Sequence, residues 1–444
     1  MPEMVPHLAP HLRTLHSAHH TAPPHPAHRT SHRTCAPPHL APRTLFPLRY
    51  DVCVRIGIDA RKLHDFGIGT YIRNLLRQLA RLDRETEYVL LSRPEDAAVL
   101  KALGENFRPV AETAGNYSIS EQFRIPLALR REGVALFHAP HYVLPPLVPC
   151  PSVVTIHDCI HLVFPQYLPN KLALGYARTS MGMAARRAAR VLTVSETSKR
   201  DIIKFFGTSP DKIDVIYNSY DEQFGVEPRE EDINRVRERY QLQDEFVLYV
   251  GNVKPHKNVE RLIEAFHLVR DRGLDHLKLV IIGDAVSKYA VLRRAVHRHQ
   301  LHKYVRFLGF VPEETLAIMY RLAGVFVFPS LYEGFGLPPL EAMASGTPVV
   351  VSNLSSLPEV AGNAAVLVDP YHPEAIADGI ERVLTDSVFR ADLRARGLAR
   401  AKQFSWETSV RRVREIYGEV IDAPVLAETP PAAARRDTGG APRP

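Results

Sequence analysis

From Val54 onward, short runs of β-branched and aromatic residues alternate with stretches whose apolar residues recur at helical spacing. No other feature constrains the chain as much. Parallel strands must be joined by long crossovers, and the usual crossover is a helix packed on the sheet. Strands are expected at Val54–Ile58, Tyr88–Leu91, Ala135–His138, Ser152–Ile156, Arg190–Val194 and Lys212–Ile216. A charged stretch, Glu227–Tyr240, reads as a linker running into a helix. A second series follows at Phe246–Val250, Leu279–Ile282, Val305–Leu308, Val325–Phe328, Pro348–Ser352 and Ala365–Leu367. The expected fold class is therefore α/β, with two doubly wound domains of about six strands each, over residues 54–225 and 240–404. One further helix, Trp406–Val420, comes after the second sheet is complete.

Composition narrows the function classes. No stretch approaches the ~18 uncharged apolar residues that span a bilayer. Four cysteines in 444 residues, Cys35, Cys53, Cys150 and Cys159, make no disulfide framework or zinc pattern and fit a reducing, cytoplasmic compartment. The net charge of +7 sits mostly at the ends. Residues 1–50 hold five Arg against one Glu, and the tail from Ala423 holds three Arg against Glu428 and Asp437, which leaves +2 for residues 51–422. A nucleic-acid binder carries its basic excess in the folded body, so no nucleic-acid partner is expected.

Nine of the 21 histidines and ten of the 36 prolines fall in residues 1–50. Proline at that density prevents helix and sheet, so 1–53 is expected to be a disordered extension. It has no apolar run for a secretory signal, its prolines oppose the helix of a transit peptide, and its histidines lack regular ligand spacing. Translation is expected to start near Val52 or Val54. The tail, 423–444, is expected to be disordered as well.

In open α/β sheets ligands bind beyond the carboxyl ends of the strands, and the unusual residues of this chain recur there. Gly67-Ile-Gly69 follows the first strand and His157-Asp158 the fourth. In the second series Gly251-Asn252-Val-Lys254-Pro-His-Lys257, Gly283-Asp284 and Glu333-Gly-Phe-Gly336 stand at strand ends. If the two rims face each other, these loops line one cleft. Pro338 and Pro339 suit the first turn of a helix, whose free N–H groups and positive dipole end form an anion site. Glu341 would lie early in that helix and Glu333 in the loop before it, where a carboxylate can hold sugar hydroxyls. Lys254 and Lys257 at a strand's carboxyl end suit a diphosphate, in binding and as charge develops on departure. Lys254 reads equally as a solvated surface charge. Gly67–Gly69 lacks the third glycine of a dinucleotide fingerprint, Ile72 standing in its place. A lone histidine such as His157 is more often structural than catalytic, and Cys159 has no base-and-partner set that would make it a nucleophile. A P-loop is absent, as is any Asp-x-Asp metal clamp. A leaving diphosphate would then be neutralised by basic side chains and a helix end.

Taken together, Glu333-x7-Glu341, Val250-Gly-Asn-Val-Lys-Pro-His-Lys257-Asn, Val305-Arg-Phe-Leu-Gly-Phe-Val-Pro312, Thr193-Val-Ser-Glu196 and Ile216-Tyr-Asn-Ser219 resemble the retaining glycosyltransferases of family 4 over nearly all of residues 54–421. The resemblance implies the GT-B fold, two Rossmann-like domains facing across a cleft, with the second binding a nucleotide sugar and the first the acceptor. It implies that the helix within 405–422 crosses back to the first domain. It also implies roles: Glu333 on the donor sugar's hydroxyls, Glu341 on the ribose, and Lys257 on the diphosphate. Backbone N–H groups of Gly336 and Leu337 would support the donor, with Asn252, Lys254 and Gly283 lining its site. Gly67–Gly69 would close over the phosphates, and His157 would touch the transferred sugar. Asn252 departs from the pattern, since many members carry Arg there; Lys254 is the candidate to supply that charge. No metal and no cofactor are implied, and retention is expected by same-face attack without an enzymatic nucleophile.

The first lysine motif and the Asp59-Ala-Arg61 start resemble bacterial mannosyltransferase-like members, which puts GDP-mannose first and UDP-glucose second as donor. The implied function is hexosyl transfer to a saccharide or lipid-linked saccharide in cell-surface polysaccharide synthesis. An epimerase or hydrolase of nucleotide sugars, or a non-catalytic carbohydrate-binding protein, are the alternatives. Basic residues at Arg124, Arg130, Arg131, Arg178, Arg186, Arg187, Arg190, Lys199, Arg200 and Lys204, with Phe205-Phe206 adjoining, read either as a face for the inner surface of a membrane or as ordinary solvated helices.

Overall fold

The computed structural model describes residues 54–283 and 290–423. The segment 1–53, the tail beyond Ala423 and Asp284, each read above from sequence, lie outside the described residues. Thirteen strands among those described form two parallel sheets. The first contains β1 (Arg55–Asp59), β2 (Glu87–Ser92), β3 (Phe107–Ala111), β4 (Leu136–Ala139), β5 (Ser152–Thr155), β6 (Arg190–Thr193) and β7 (Ile213–Val215), in the order β3-β2-β1-β4-β5-β6-β7. The second contains β8 (Phe246–Val250), β9 (Lys278–Ile282), β10 (Val305–Gly309), β11 (Val325–Phe328), β12 (Val349–Ser352) and β13 (Val366–Val368), in the order β10-β9-β8-β11-β12-β13. In each sheet the order reverses beside the first strand, between β1 and β4 and between β8 and β11, where ligand crevices form in doubly wound folds. In register, Gly57 of β1 stands opposite Val89 on one side and Phe137 on the other.

The central strands, such as Phe246–Val250 and Val325–Phe328, are buried along their length, as unbroken apolar runs covered on both faces should be. On the first sheet one face is covered by the helices Phe66–Leu82 and Trp406–Asp422. Ile125 and Leu129 of Glu121–Glu132, Ala184 and Ala185 of Lys171–Arg187 and Ile202 of Glu196–Phe206 pack on the other. The last helix buries Trp406, Val410, Val413, Ile416, Tyr417 and Val420, a single stripe, against the first sheet although it follows the second in sequence.

One strand departs from the sequence expectation. The first sheet has seven strands, because Phe107-Arg-Pro-Val-Ala pairs with β2. Pro109 argues against a central strand, and β3 is an edge, where a missing N–H leaves no ladder bond unmade.

Candidate active site

Two loops of the second sheet are stapled together at its rim. Lys254 to Asn258 leave β8 through a short 3₁₀ turn, Pro255–Lys257. Asn258, in the left-handed region at φ 60°, donates from its amide to the carbonyl oxygens of Pro329 (3.1 Å) and Pro370 (2.7 Å). The Leu331 N–H donates to the His256 carbonyl at 2.7 Å. This brings Lys257 Nζ to 2.6 and 2.8 Å from the two carboxylate oxygens of Glu333. Both side chains are largely buried, at 13% and 12% exposure, and the ammonium also lies 5.2 Å from the centre of the Phe328 ring. The Glu333 peptide is clamped by Ser355, whose hydroxyl accepts from its N–H (3.1 Å) and donates to its carbonyl (2.7 Å).

The same loop touches the first sheet. A Cβ on Gly334 would stand 2.7 Å from the carbonyl oxygen of His157, so only glycine allows the contact. The Tyr332 hydroxyl donates to Asp201 at 2.7 Å and accepts from the Cys159 N–H at 3.2 Å. Across from it, the Glu359 carboxylate accepts from the N–H groups of Glu196 (2.8 Å) and Thr197 (3.3 Å), capping the helix Glu196–Phe206 from the other domain. His157 itself shares a hydrogen bond between Nε2 and the Pro140 carbonyl at 3.0 Å and stands edge-on to Tyr71 at 5.0 Å. A carbonyl only accepts, so Nε2 carries the proton and Nδ1 is the acceptor nitrogen. Burial lowers the affinity of this ring for a second proton and keeps it neutral.

Gly336 caps the helix Leu337–Ala344 at φ 107°. Its second and third positions are Pro338 and Pro339, so of the N–H groups left open at a helix start only those of Gly336 and Leu337 exist. Glu341, in the next turn, accepts from the Tyr320 hydroxyl at 3.0 Å. Burial, with the charges of Glu313 and Asp221, pushes its carboxyl up to about 7, against the opposing Tyr320 bond. It faces a cavity of about 80 Å³ whose opposite wall is Thr70, Arg73, Asn74 and Arg77 of the first domain.

With this geometry in view, the comparisons with known proteins are decisive. Residues 67–224 match Glycosyltransferase Family 4 and residues 230–400 match Glycosyl transferases group 1. The O-antigen chain mannosyltransferase B of Escherichia coli is 35% identical over 302 residues, covering 68% of this chain and 78% of that protein. The chain belongs to glycosyltransferase family 4. The serotype-specific mannosyltransferase WbdA of Escherichia coli is 30% identical over 289 residues, 62% of this chain, but the chain spans only 34% of that longer relative. Among solved structures, Anabaena HepE in complex with UDP and glucose superposes with a TM-score of 0.67 at 19% identity, over 82% of this chain and all of that one. That likeness shows a shared fold, the GT-B arrangement of two facing α/β domains.

In this glycosyltransferase the residues singled out by sequence fall into three groups. Glu333, Lys257, Gly336 and Leu337 share one rim of the second domain, and the glycine following Glu333 rests on His157. Asn252 and Gly283 stand just behind them. A side chain at Gly283 would collide with the Gly251 carbonyl, and the Asn252 Oδ1 is buried without a partner among the described residues. Lys254 is exposed, and its carbonyl accepts from the Lys257 N–H at 2.9 Å. Glu341 sits apart from Glu333, facing the cavity.

One expectation is corrected. Gly67 and Gly69 are not a loop but the first turn of the helix Phe66–Leu82, and Gly69 is required because a Cβ would overlap the Leu63 carbonyl. Part of the basic cluster is engaged within the fold. Arg190 pairs with Asp214 and Lys199 donates to the Ile213 carbonyl. Phe205 and Phe206 pack against the core. In keeping with the sequence reading, Cys159 is buried, with its thiol pushed well up by burial, as befits a packing residue. Sequence reasoning missed Ser355, Tyr332 with Asp201, and Glu359. Their roles depend on partners more than twenty and up to 163 residues away, and single motifs carry no such signal.

Proposed function

We propose that this glycosyltransferase moves a mannosyl group from a nucleotide sugar, GDP-mannose before UDP-glucose, to a saccharide or lipid-linked saccharide acceptor, in cell-surface polysaccharide synthesis. The similarity to Escherichia coli O-antigen chain mannosyltransferase B and to the O-antigen chain mannosyltransferase RfbU of Salmonella typhimurium supports the mannosyl assignment. The observation that carries the site is the Lys257–Glu333 pair standing beside His157 across the domain boundary.

In this reading Lys257 takes the donor's diphosphate, and in doing so it would release Glu333 to the hydroxyls of the transferred sugar. The N–H groups of Gly336 and Leu337 add a dipole end where negative charge develops on the departing diphosphate. Glu341 takes the ribose. His157, neutral and with Nδ1 as acceptor, receives a hydroxyl of the transferred sugar. With lysine and helix end sharing the leaving-group charge, the reaction needs no metal. The anomeric configuration is retained by attack on the face from which the diphosphate leaves.

A thermal-shift screen with GDP-mannose, UDP-glucose, GDP and UDP tests the donor, since a ligand bound only by the folded state raises the melting temperature. A shift with the guanine nucleotides and an α-linked product by NMR, unaffected by chelator, is the expected result. A shift confined to uracil nucleotides moves the donor to UDP-glucose. Release of free sugar at the same rate with and without acceptor would make the protein a hydrolase.

A further inference from the structure

The Asp59-Ala-Arg61 start forms the floor of a small cleft in the first domain. The buried Arg61 guanidinium meets Asp59 at 2.7 and 2.9 Å, Glu121 at 3.2 Å and the Ala114 carbonyl at 3.3 Å. It thereby pins the loop carrying Asn116 and Tyr117 beside the carboxyl end of β1. Pro140 and His141, just beyond β4, form the facing wall. The space between them is about 10 Å³, room for one group the size of a hydroxyl. Pro140 also joins this cleft to the candidate active site, because its carbonyl accepts from His157 Nε2 at 3.0 Å.

Two polar atoms of the lining residues, Asn116 Oδ1 and His141 Nδ1, are buried and have no partner among the described residues. Buried polar atoms are ordinarily paired, so two in one cleft point to a ligand that pairs them. Their hydrogen-bonding roles specify its chemistry. The Tyr142 hydroxyl donates to the Tyr117 oxygen, which leaves the Tyr117 proton for His141 Nε2 at 3.3 Å. Burial, with Lys62 and His157 nearby, keeps the His141 ring neutral, so Nδ1 carries its one proton. The cleft therefore offers one donor and one acceptor. A hydroxyl satisfies both, whereas a phosphate or carboxylate oxygen only accepts. The cations at the cleft are already neutralised, Arg61 by Asp59 and Glu121, and Lys62 by Asp65 at 2.8 Å. At the rim the rings of Tyr117 and Tyr176 lie 6.2 Å apart and are 45% and 40% exposed, an apolar surface suited to the C–H face of a pyranose. Tyr117 is held at φ 64°, a strained conformation for a residue with a side chain, of the kind that persists at ligand sites.

We infer that this cleft is the acceptor subsite, taking one hydroxyl of an uncharged terminal sugar between Asn116 and His141 with the sugar ring resting on Tyr117 and Tyr176. It follows that sugars bearing a phosphate or carboxylate in that place are rejected. The inference rests on the sugar-transfer reading and names the acceptor's chemical class.

Saturation-transfer NMR and steady-state transfer by the full chain test it. The probes are octyl glycosides of mannose, glucose, galactose and N-acetylglucosamine, their 6-phosphates, and the octyl glucuronide. At least one neutral glycoside is expected to bind and accept, and the charged ones to bind about tenfold or more weakly. Asn116→Ala and His141→Ala should each raise the acceptor KM about tenfold, with kcat and the donor KM little changed. Asn116→Ala, in a loop, decides should the His141 variant fold poorly. An acceptor KM unmoved in a folded variant, a preference for the phosphorylated glycosides, or no binding of any neutral glycoside overturns the inference. Nucleotide thermal shifts keep the two readings apart. A protein that shifts with nucleotide and transfers, but whose acceptor KM ignores Asn116, loses the subsite alone. One that ignores nucleotides while Asn116→Ala weakens its glycoside signals keeps the subsite and loses the transfer reading.

Discussion

Lys257 and Glu333 form a two-pronged ion pair, at 2.6 and 2.8 Å, between residues that are 76 positions apart and nearly buried. Removing one member of a buried pair strands the other's charge, which costs about 3 kcal/mol or more. Glu333→Gln and Lys257→Met are each expected to lower stability by roughly that amount in urea titrations, and the double variant by clearly less than their sum. Transfer should fall about a hundredfold or more in either single variant, because under the proposed roles each also removes a group that meets the donor. Additive destabilisation in the double variant would show that the pair is not coupled.

Glu341 gives the protein a pH signature. Its carboxyl is held up at about 7 by burial first, with Glu313 and Asp221 adding to it, so the folded state binds a proton that the unfolded chain has already released. Stability from this group is complete below the ordinary carboxylate range and is lost as pH rises through about 7, in total roughly 3 kcal/mol. Glu341→Gln should remove that slope and stabilise the protein at pH 8. Under the ribose assignment, wild-type donor affinity should rise with pH through the same window, while the Gln variant binds weakly and without pH dependence. A wild-type affinity that is flat from pH 6 to 8 would count against the ribose role.

Much of this architecture was legible in the sequence, for identifiable reasons. Twelve strands were readable because buried parallel strands are short β-branched runs, and β3 escaped because Pro109 is tolerated only at an edge. That Lys257 and Glu333 would share a rim followed from their places after β8 and β11, which are neighbours in the sheet. What could not be read was the matching of one domain to the other. Glu359 capping a helix that begins at Glu196, and Tyr332 reaching Asp201, are set by how two separately folded surfaces meet.

Gly334 offers a direct probe of that meeting. Alanine there places a methyl group 2.7 Å from the His157 carbonyl and 3.1 Å from the Asp158 Cβ, distances that require the loop or the domain to move. The Gly334 backbone is not in the left-handed region, so the substitution strains the contact and not the local conformation. Gly334→Ala is expected to reduce kcat/KM at least about tenfold by displacing Glu333, with a small change in melting temperature. Small-angle scattering should show a more open molecule. Unchanged kinetics would mean that the contact between Gly334 and His157 is not part of the working geometry.

The last helix is tied to the first sheet by a buried polar chain whose loss can be measured. The Tyr417 hydroxyl lies 2.6 Å from Nδ1 of His138, whose Nε2 lies 2.8 Å from the Thr155 hydroxyl, and Thr155 lies 3.3 Å from that of Tyr71. Tyr417→Phe keeps the ring in its core and leaves one buried imidazole nitrogen unpaired, which should cost about 1–3 kcal/mol at pH 7. Hydrogen exchange should accelerate along residues 406–422. Burial pushes the His138 imidazole down to about 3. Between its ordinary value and that one, the unfolded chain takes up a proton the folded state refuses, so this group's contribution is complete above about 6.5 and is lost as pH falls. That slope is opposite in sign to Glu341's, and His138→Gln should flatten it while Glu341→Gln steepens the net acid sensitivity. Tyr71 also stands edge-on to His157, so a change in the transfer rate of Tyr417→Phe at constant fold would mean that the terminal helix positions the site through this chain. An unchanged rate would confine the chain to stability.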